Sequence, residues 1–371
     1  MHDYRVLVIG GYGFFGSRLV TRLARQDGLH VIVAGRSGIA ARALVDLLQP
    51  ASCAALSHLA LDAMADDLAG LLIELDADLV IHTSGPFQGQ DYRVARACAT
   101  AGVHYVDLAD GRDFVCGIET LQESAIANGV LLTSGASSVP ALSTAVVDRL
   151  ATGMESVRFI DIGISPGNRT ERGLSTVAAV LSYCGKPLVT GSRQPTFGWL
   201  GSYRHRYPAP VGVRLLSPCD VPDLSLHPLR YSGSPSVRFG AGLELGFLHR
   251  GMNLLAWLAR LGLVHNWAAH AGWLKHVADW FKQWGTDAGA MHVCVTGHDH
   301  LGVLRQRTWV LVAGSGSGPY VPTLAATALV RKLASGTLES TGARPCTGLL
   351  SLEDFARETE GLDIQMMEVK S

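Results

Sequence analysis

A short apolar run, Arg5 to Ile9, leads without a break into Gly10-Gly11-Tyr12-Gly13-Phe14-Phe15-Gly16, and apolar residues at helical spacing follow from Arg18 to Arg25. Gly11, Gly13 and Gly16 satisfy G-x-G-x-x-G between strand and helix, which few folds permit. The first glycine allows the tight turn and the second lets backbone approach a bound phosphate. The third lets the helix lie close on the strand, while the free N–H groups of the helix start attract the anion. The alternative is a glycine-rich turn in an α/β domain that serves another ligand.

Five further apolar runs repeat the theme: His30 to Ala34, Leu56 to Leu61, Leu79 to Thr83, His104 to Leu108 and Val130 to Thr133. Helix-period stretches such as Ala41 to Leu48 and Tyr92 to Ala101 separate them. Continuous apolar strands alternating with helices predict a parallel sheet covered on both faces. The expected fold is therefore α/β, with an N-terminal Rossmann doubly wound parallel sheet over residues 1–150. An α+β substrate or dimerisation domain is expected over 151–320, since 371 residues suit two cores. In it, Val157 to Ile164 reads as a strand, Leu174 to Tyr183 as a helix, and Met291 to Val295 with Arg307 to Val312 as neighbouring strands. A Gly/Pro/Ser-punctuated region runs through Ser236. A helix at Thr323 to Leu333 and the tail, residues 321–371, are expected to pack back on the Rossmann domain.

Lys and Arg number 31 against 32 Asp and Glu, a formal net charge of −1, so no electrostatic footprint for nucleic acid is present. The seven cysteines are scattered without a C-x-x-C pair, which speaks against a disulfide framework or structural zinc. A reducing, cytoplasmic setting is expected, and the N-terminus shows no signal-peptide pattern.

Cofactor choice falls at the end of the second strand, where an NAD enzyme presents a carboxylate to the ribose. Here the strand ends in Ala34-Gly35-Arg36-Ser37. A guanidinium at Arg36 suits an adenosine 2′-phosphate, with the Ser37 hydroxyl as a further donor, so NADP is expected over NAD. The alternative leaves Arg36 in solvent and makes Ser37 a helix cap. Later strand ends supply Ser84-Gly85-Pro86-Phe87, Asp107 to Asp110 and Ser134-Gly135 at the carboxyl edge, where such sheets bind ligands, and Asp62 on the adenine side. The cofactor set expected is thus Gly11, Tyr12, Gly13, Phe14, Phe15, Gly16, Arg36, Ser37, Asp62, Ser84, Gly85, Pro86, Phe87, Asp107, Ser134 and Gly135. Gly-Pro and Ser-Gly are also ordinary turn chemistry.

The runs GGYGFFGSRL, VIVAGRS, SGPFQGQDYRVARACATAGVHYVDLADG and TSGASSVPALS resemble the saccharopine dehydrogenase-like oxidoreductases of bacteria. The likeness is looser at GPYVPTLAATALVRKL and GARPCTGLLSLEDF. It implies a Rossmann NAD(P) domain followed by an α/β domain that helps close the site and often forms a dimer, but brings no substrate. Saccharopine sites should be rich in Arg and Lys, whereas this middle domain carries long apolar stretches.

Hydride chemistry needs a proton donor or acceptor, for which Asp110 and Tyr105 are the candidates nearest the expected site; Asp107 and Asp110 equally suit helix capping. Arg169, Arg172 and Tyr203 are possible contributors from the second domain. His298-Asp299-His300 reads as a hairpin tip more than a metal pair, and no metal is expected. Trp257, Trp267, Trp273, Trp280 and Trp284 crowd one stretch, and the last three share a helix face; packing is the first explanation, with a pocket wall, dimer surface or membrane interface as others. Charged residues interrupt any transmembrane window there. The chain reads as an NADP-dependent oxidoreductase acting on a carbonyl, imine or activated alkene of a small-molecule substrate, as a homodimer without nucleic acid. The alternatives are an NADP-responsive binding protein without turnover and a membrane-peripheral reductase of a lipid-like substrate.

Overall fold

The computed structural model describes residues 3–64, 67–190 and 195–369. Parts of the readings made for the N-terminus, the glycine-rich middle and the tail fall on 1–2, 191–194 and 370–371, outside the described residues. The chain divides into two compact units, Met1–Leu142 with Tyr320–Glu358, and Ser143–Pro319 with Thr359–Ser371.

The first unit begins with β1 (Tyr4–Ile9), α1 (Phe14–Leu23), β2 (Leu29–Gly35), α2 (Gly38–Leu48), β3 (Ala55–Ala60) and α3 (Leu68–Glu74). It continues with β4 (Leu79–His82), α4 (Arg93–Ala101), β5 (His104–Asp107), α5 (Arg112–Gly117), α6 (Gln122–Ala127) and β6 (Leu131–Ser134). All six expected runs are strands. Val6, Leu7 and Val8 are wholly buried, as are Leu79, Val80 and Ile81, and each such side chain contributes roughly 1.5–3 kcal/mol of transfer free energy. β3 lies at the sheet edge and alternates partly buried with exposed positions.

The second unit opens with α7 (Ser143–Ala151), β7 (Met154–Ser165) and α8 (Leu174–Ser182), followed by the two-residue strands β8 (Pro187–Leu188) and β9 (Thr196–Phe197). Then come β10 (Tyr203–Arg206), β11 (Val213–Pro218), α9 (Asp223–Arg230), β12 (Ser236–Ala241), α10 (Gly246–Arg260), α11 (Ala271–Asp279), β13 (Gly289–Asp299) and β14 (Leu304–Ala313). The chain returns to the first unit for α12 (Leu324–Ala334), β15 (Gly342–Pro345) and α13 (Leu352–Glu358), and ends on β16 (Ile364–Val369).

The first sheet runs β15-β6-β5-β4-β1-β2-β3, with every pair parallel. That is the doubly wound order, extended by one strand beyond β6. The second sheet runs β10-β11-β12-β7-β13-β14-β16, parallel only between β12 and β7. The fold is thus α/β, a Rossmann-like parallel sheet with a second unit built on a mixed sheet.

Two boundaries differ from expectation. α7, expected inside the first 150 residues, lies in the second unit, where it packs on β13, β7 and β14 through a buried Val146-Val147-Leu150 side. The tail, expected as one piece, divides: α12, β15 and α13 stay with the first sheet, whereas β16 pairs with β14. The Trp-rich stretch forms two helices, α10 and α11, separated by Leu261 to His270. The tip at His298 to His300 follows expectation, with the Asp299 carboxylate accepting from Leu301 N, Val303 N and Arg305 Nε.

Arg238 and Asp161 sit opposite each other on β12 and β7 and form a two-bond pair, Nε to Oδ1 at 2.7 Å and Nη2 to Oδ2 at 2.6 Å. The guanidinium and the nearby His292 hold the Asp161 carboxyl down to about 2, against its burial. A depressed carboxyl stabilises the fold above the unfolded-state value and loses that contribution as pH falls through its own. Asp161→Asn is therefore expected to cost about 2 kcal/mol at pH 7, a figure kept low because Arg238 is half-exposed. The deficit should shrink between pH 4 and 2; urea midpoints of both proteins across that range test it, and a deficit independent of pH would refute it.

Candidate cofactor site

Where β1 ends, Gly10 takes φ +78°, a region that side chains rarely enter, and both Gly10 N and Gly11 N donate to Ala34 O of β2. A Cβ on Gly10 would stand 2.4 Å from Ser84 Oγ, and one on Gly16 would stand 2.1 Å from Gly10 O. The first turn of α1 therefore rests directly on the end of β1. Gly13 is the extended residue before α1, and Ser17 N is the first amide to close onto its carbonyl. Helix geometry leaves the amides of Phe14, Phe15 and Gly16 pointing out of the N-terminus without an intrahelical acceptor. The backbone is bare where a pyrophosphate would approach, so these residues fit a dinucleotide.

The neighbouring strand end is tied to this loop by Tyr12. Its ring lies over Gly35, where a Cβ would meet Tyr12 Cε1 at 2.6 Å, and its hydroxyl accepts from Ser37 N at 2.8 Å. Ser37 Oγ in turn caps α2 by accepting from Ala40 N. The capping alternative for Ser37 is thus what its hydroxyl does. Arg36, between them, is exposed and has no hydrogen-bond or ion partner among the described residues. No carboxylate stands in the Gly35-Arg36-Ser37 segment, so this corner offers a free cation to whatever binds there.

At the other strand ends, the expected residues separate into exposed and buried groups. Ser84 and Pro86 are exposed, and Gln90 Nε2 braces their loop by donating to Ser84 O and Pro86 O. Phe87, expected at the cofactor, instead turns into the domain, with its ring 5.2 Å from both His82 and Phe114. Asp62 lies just past β3 and accepts from Met64 N.

Asp107 organises the carboxyl edge from below. Its Oδ1 accepts from Ala109 N, Ser134 Oγ and Gly135 N at 2.8 to 2.9 Å, joining the loops after β5 and β6. Burial pushes this carboxyl up to about 6, against the pull of the donors Gly135, Ala109 and Ser134 and of the Tyr105 phenol. Ser134 and Gly135 are likewise buried. Gly135, at φ +85°, has Pro140 Cδ 2.5 Å from where a Cβ would be.

Tyr105, expected as a proton donor, is corrected by its burial. It lies in the core with 1% exposure, its hydroxyl 3.4 Å from His82 Nδ1, and burial and Asp107 hold its proton far above the usual phenol range. Asp110 is nearer the surface, accepts from Gln88 Nε2 at 3.3 Å, and has its carboxyl raised by burial. In the second unit, Arg169 and Arg172 bond to Gln283 O and Asn168 Oδ1, and Tyr203 lies under Arg238 at 4.2 Å. The sequence reading missed β15: Cys346 N donates to Ser134 O at 2.7 Å, so the residues after Pro345 join the same edge. Four residues with a glycine and a proline carry no periodic signal.

A buried carboxyl raised to about 6 binds its proton more tightly folded than unfolded, so its contribution to stability is greatest below about pH 4 and is lost as pH rises to 6. Two units correspond to about 3 kcal/mol. Asp107→Asn keeps the accepting oxygen and removes the titration. The wild-type urea midpoint should fall relative to the variant between pH 4 and 6; parallel curves would count against the assignment.

Residues 6–146 match the model of the family described as the saccharopine dehydrogenase NADP binding domain. No curated protein matches the chain. Among solved structures, the chain is similar to apo saccharopine dehydrogenase (L-Glu forming) from Saccharomyces cerevisiae. The TM-score is 0.68 at 15% identity, over 99% of this chain and 100% of that one. It is also similar to an amine dehydrogenase from Mycobacterium smegmatis, with a TM-score of 0.50 at 13% identity over 93% and 96%. At such identities the likeness is one of fold. With the glycine cradle, the match identifies residues 6–146 as an NADP-binding domain of the saccharopine dehydrogenase type, and the chain as a whole shares the fold of saccharopine dehydrogenase.

Proposed function

We propose that the chain is an NADP-dependent oxidoreductase that transfers hydride to or from a carbonyl, imine or activated alkene of a small-molecule substrate. The observation that carries the cofactor preference is Arg36, an exposed and unpartnered guanidinium at the one position where a ribose-binding carboxylate would select NAD. A planar cation there meets a 2′-phosphate with two parallel hydrogen bonds.

In this reading, Gly11, Tyr12, Gly13 and Gly16 keep the backbone open over the pyrophosphate, and the Phe14 and Phe15 amides receive its charge. Tyr12 also fixes the angle of the β2 end by accepting from Ser37 N, which sets where Arg36 points. Asp62 borders the adenine side. Ser84, Gly85 and Pro86 border the nicotinamide half. Asp107 is a positioning residue that fixes the Ser134-Gly135 loop. Asp110 is the carboxyl proposed to exchange a proton with the substrate, since it stands just past the end of β5 at the carboxyl edge of the sheet, where burial raises its pKa. Phe87 and Tyr105 support this edge from the core. The bound nicotinamide supplies the hydride chemistry; the protein supplies orientation and exclusion of water. The second unit is proposed as the substrate and dimerisation domain.

Arg36→Ala is expected to weaken NADPH binding by about tenfold or more, as loss of a charge-assisted contact worth roughly 1.5–3 kcal/mol requires, and to leave NADH binding unchanged. Titration of cofactor-stripped protein with each nucleotide, followed by nucleotide fluorescence, measures both. Equal losses for the two would overturn the 2′-phosphate role. Binding of neither by the wild type would overturn the cofactor assignment.

A further inference from the structure

The helices of the second unit turn aromatic surface outward. On α10 and its C-cap, Phe247, Leu254, Trp257 and Leu261 recur at helical spacing and are all exposed, while His249 and Ala256 on the opposite side are buried. On and just after α11, Trp273, Trp280 and Trp284 are 65, 66 and 68% exposed. Packing, the first explanation for this tryptophan concentration, therefore fails for these three. Nor are the rings loosely hung. Trp267 Nε1 donates to Leu255 O at 2.8 Å, which ties the connecting segment to α10. At the other end, Phe247 meets Phe281 at 5.0 Å and Trp284 at 5.9 Å. A braced frame presents the apolar face.

The same segment, Gly246 to Trp284, carries Arg250, Arg260, Lys275 and Lys282 against Asp279 alone, in a chain whose overall charge is −1. Asp279 is already matched by Lys275 at 2.7 Å. Arg260 lies 4.1 Å from the Phe197 ring and 5.2 Å from that of Trp257, so its stem covers aromatic surface while its charge stays at the rim. Apolar rings interleaved with surplus cations constrain what can cover this face. A second copy of the chain in a two-fold dimer would set the same basic patch against itself, because such an interface pairs identical surfaces. An anionic, planar, partly apolar surface has neither problem. Tryptophan suits the boundary of such a surface because its ring is large and apolar and its N–H can stay in the polar layer. No helix among the described residues is long and apolar enough to cross a membrane, so contact would be in the plane of the surface.

We infer that the α10–α11 face docks on an anionic lipid bilayer, with Trp273, Trp280 and Trp284 at headgroup depth beside Leu254 and Leu261, and Arg250 and Lys282 against lipid phosphates. The proposal is independent of the cofactor reading. It is tested with the full chain and vesicles of phosphatidylcholine with or without phosphatidylglycerol. Co-sedimentation with the anionic vesicles is expected, about tenfold weaker on neutral vesicles or in high salt. Tryptophan emission should shift to the blue and be quenched by brominated lipid. These signals would come from the exposed rings, since Trp199 and Trp309 are buried. The triple variant Trp273→Ser, Trp280→Ser, Trp284→Ser should lose binding by about tenfold or more with an unchanged circular dichroism spectrum. The charge reversals Arg250→Glu and Lys282→Glu should weaken anionic binding alone. Absence of wild-type binding to anionic vesicles overturns the proposal, as does undiminished binding by the triple variant. A dimer in sedimentation equilibrium that the tryptophan substitutions dissolve, without vesicle binding, overturns it in favour of a second copy of the chain.

Discussion

The nucleotide-binding edge depends on one close approach, that of Gly16 to the Gly10 carbonyl. A single methyl group on Gly16 would lie 2.1 Å from that oxygen, so α1 can start where it does only if both the turn and the helix's first layer lack side chains. Everything later in the unit inherits this placement. The helix N-terminus points its free amides over the sheet edge because it cannot tilt away, and Tyr12 reaches the end of β2 because the turn holding it is fixed. The glycine spacing is therefore a statement about distance before it is one about ligand.

The opposite corner of the edge is held by charge instead of sterics. Asp107 accepts three donors from two loops while lying wholly inside the unit. Its raised pKa reports that burial outweighs even those three bonds. A neutral acceptor would hold the loops with less desolvation, so the carboxylate comes with a standing cost at neutral pH. Such a cost is tolerated where geometry at a functional edge is worth more than stability.

The strands of the first sheet were legible because burial on both faces leaves no polar position to interrupt the apolar run, and the glycine motif because its three jobs need three fixed positions. Arg36 was legible as the residue after the second strand. The direction of side chains behind the edge was not. Tyr105 and Asp107 share a sheet face by period, but nothing in the spacing says that the face is roofed over, which is what turns Tyr105 from a titrating group into core. Phe87 was lost for the same reason, since a Gly-Pro loop permits its ring to face either way. β15 was invisible because its partners lie far off in sequence: Gly342 N reaches Val130 O, and Gln122 Oε1 accepts from Ala343 N. Likewise, helical period put the tryptophans on one face without saying whether that face turns inward.

Neither unit is a continuous stretch of chain, and this has a physical consequence for how each is completed. β6 would be a sheet edge in any fragment ending near residue 150, its unpaired groups open, because the strand that covers it arrives after residue 340. β14 is in the same position until β16 arrives after residue 360. The final stretch of about 50 residues thus closes one edge in each unit with two strands only four and six residues long. Each sheet is thus completed by a strand remote in sequence from its neighbours, although each unit has its own hydrophobic interior.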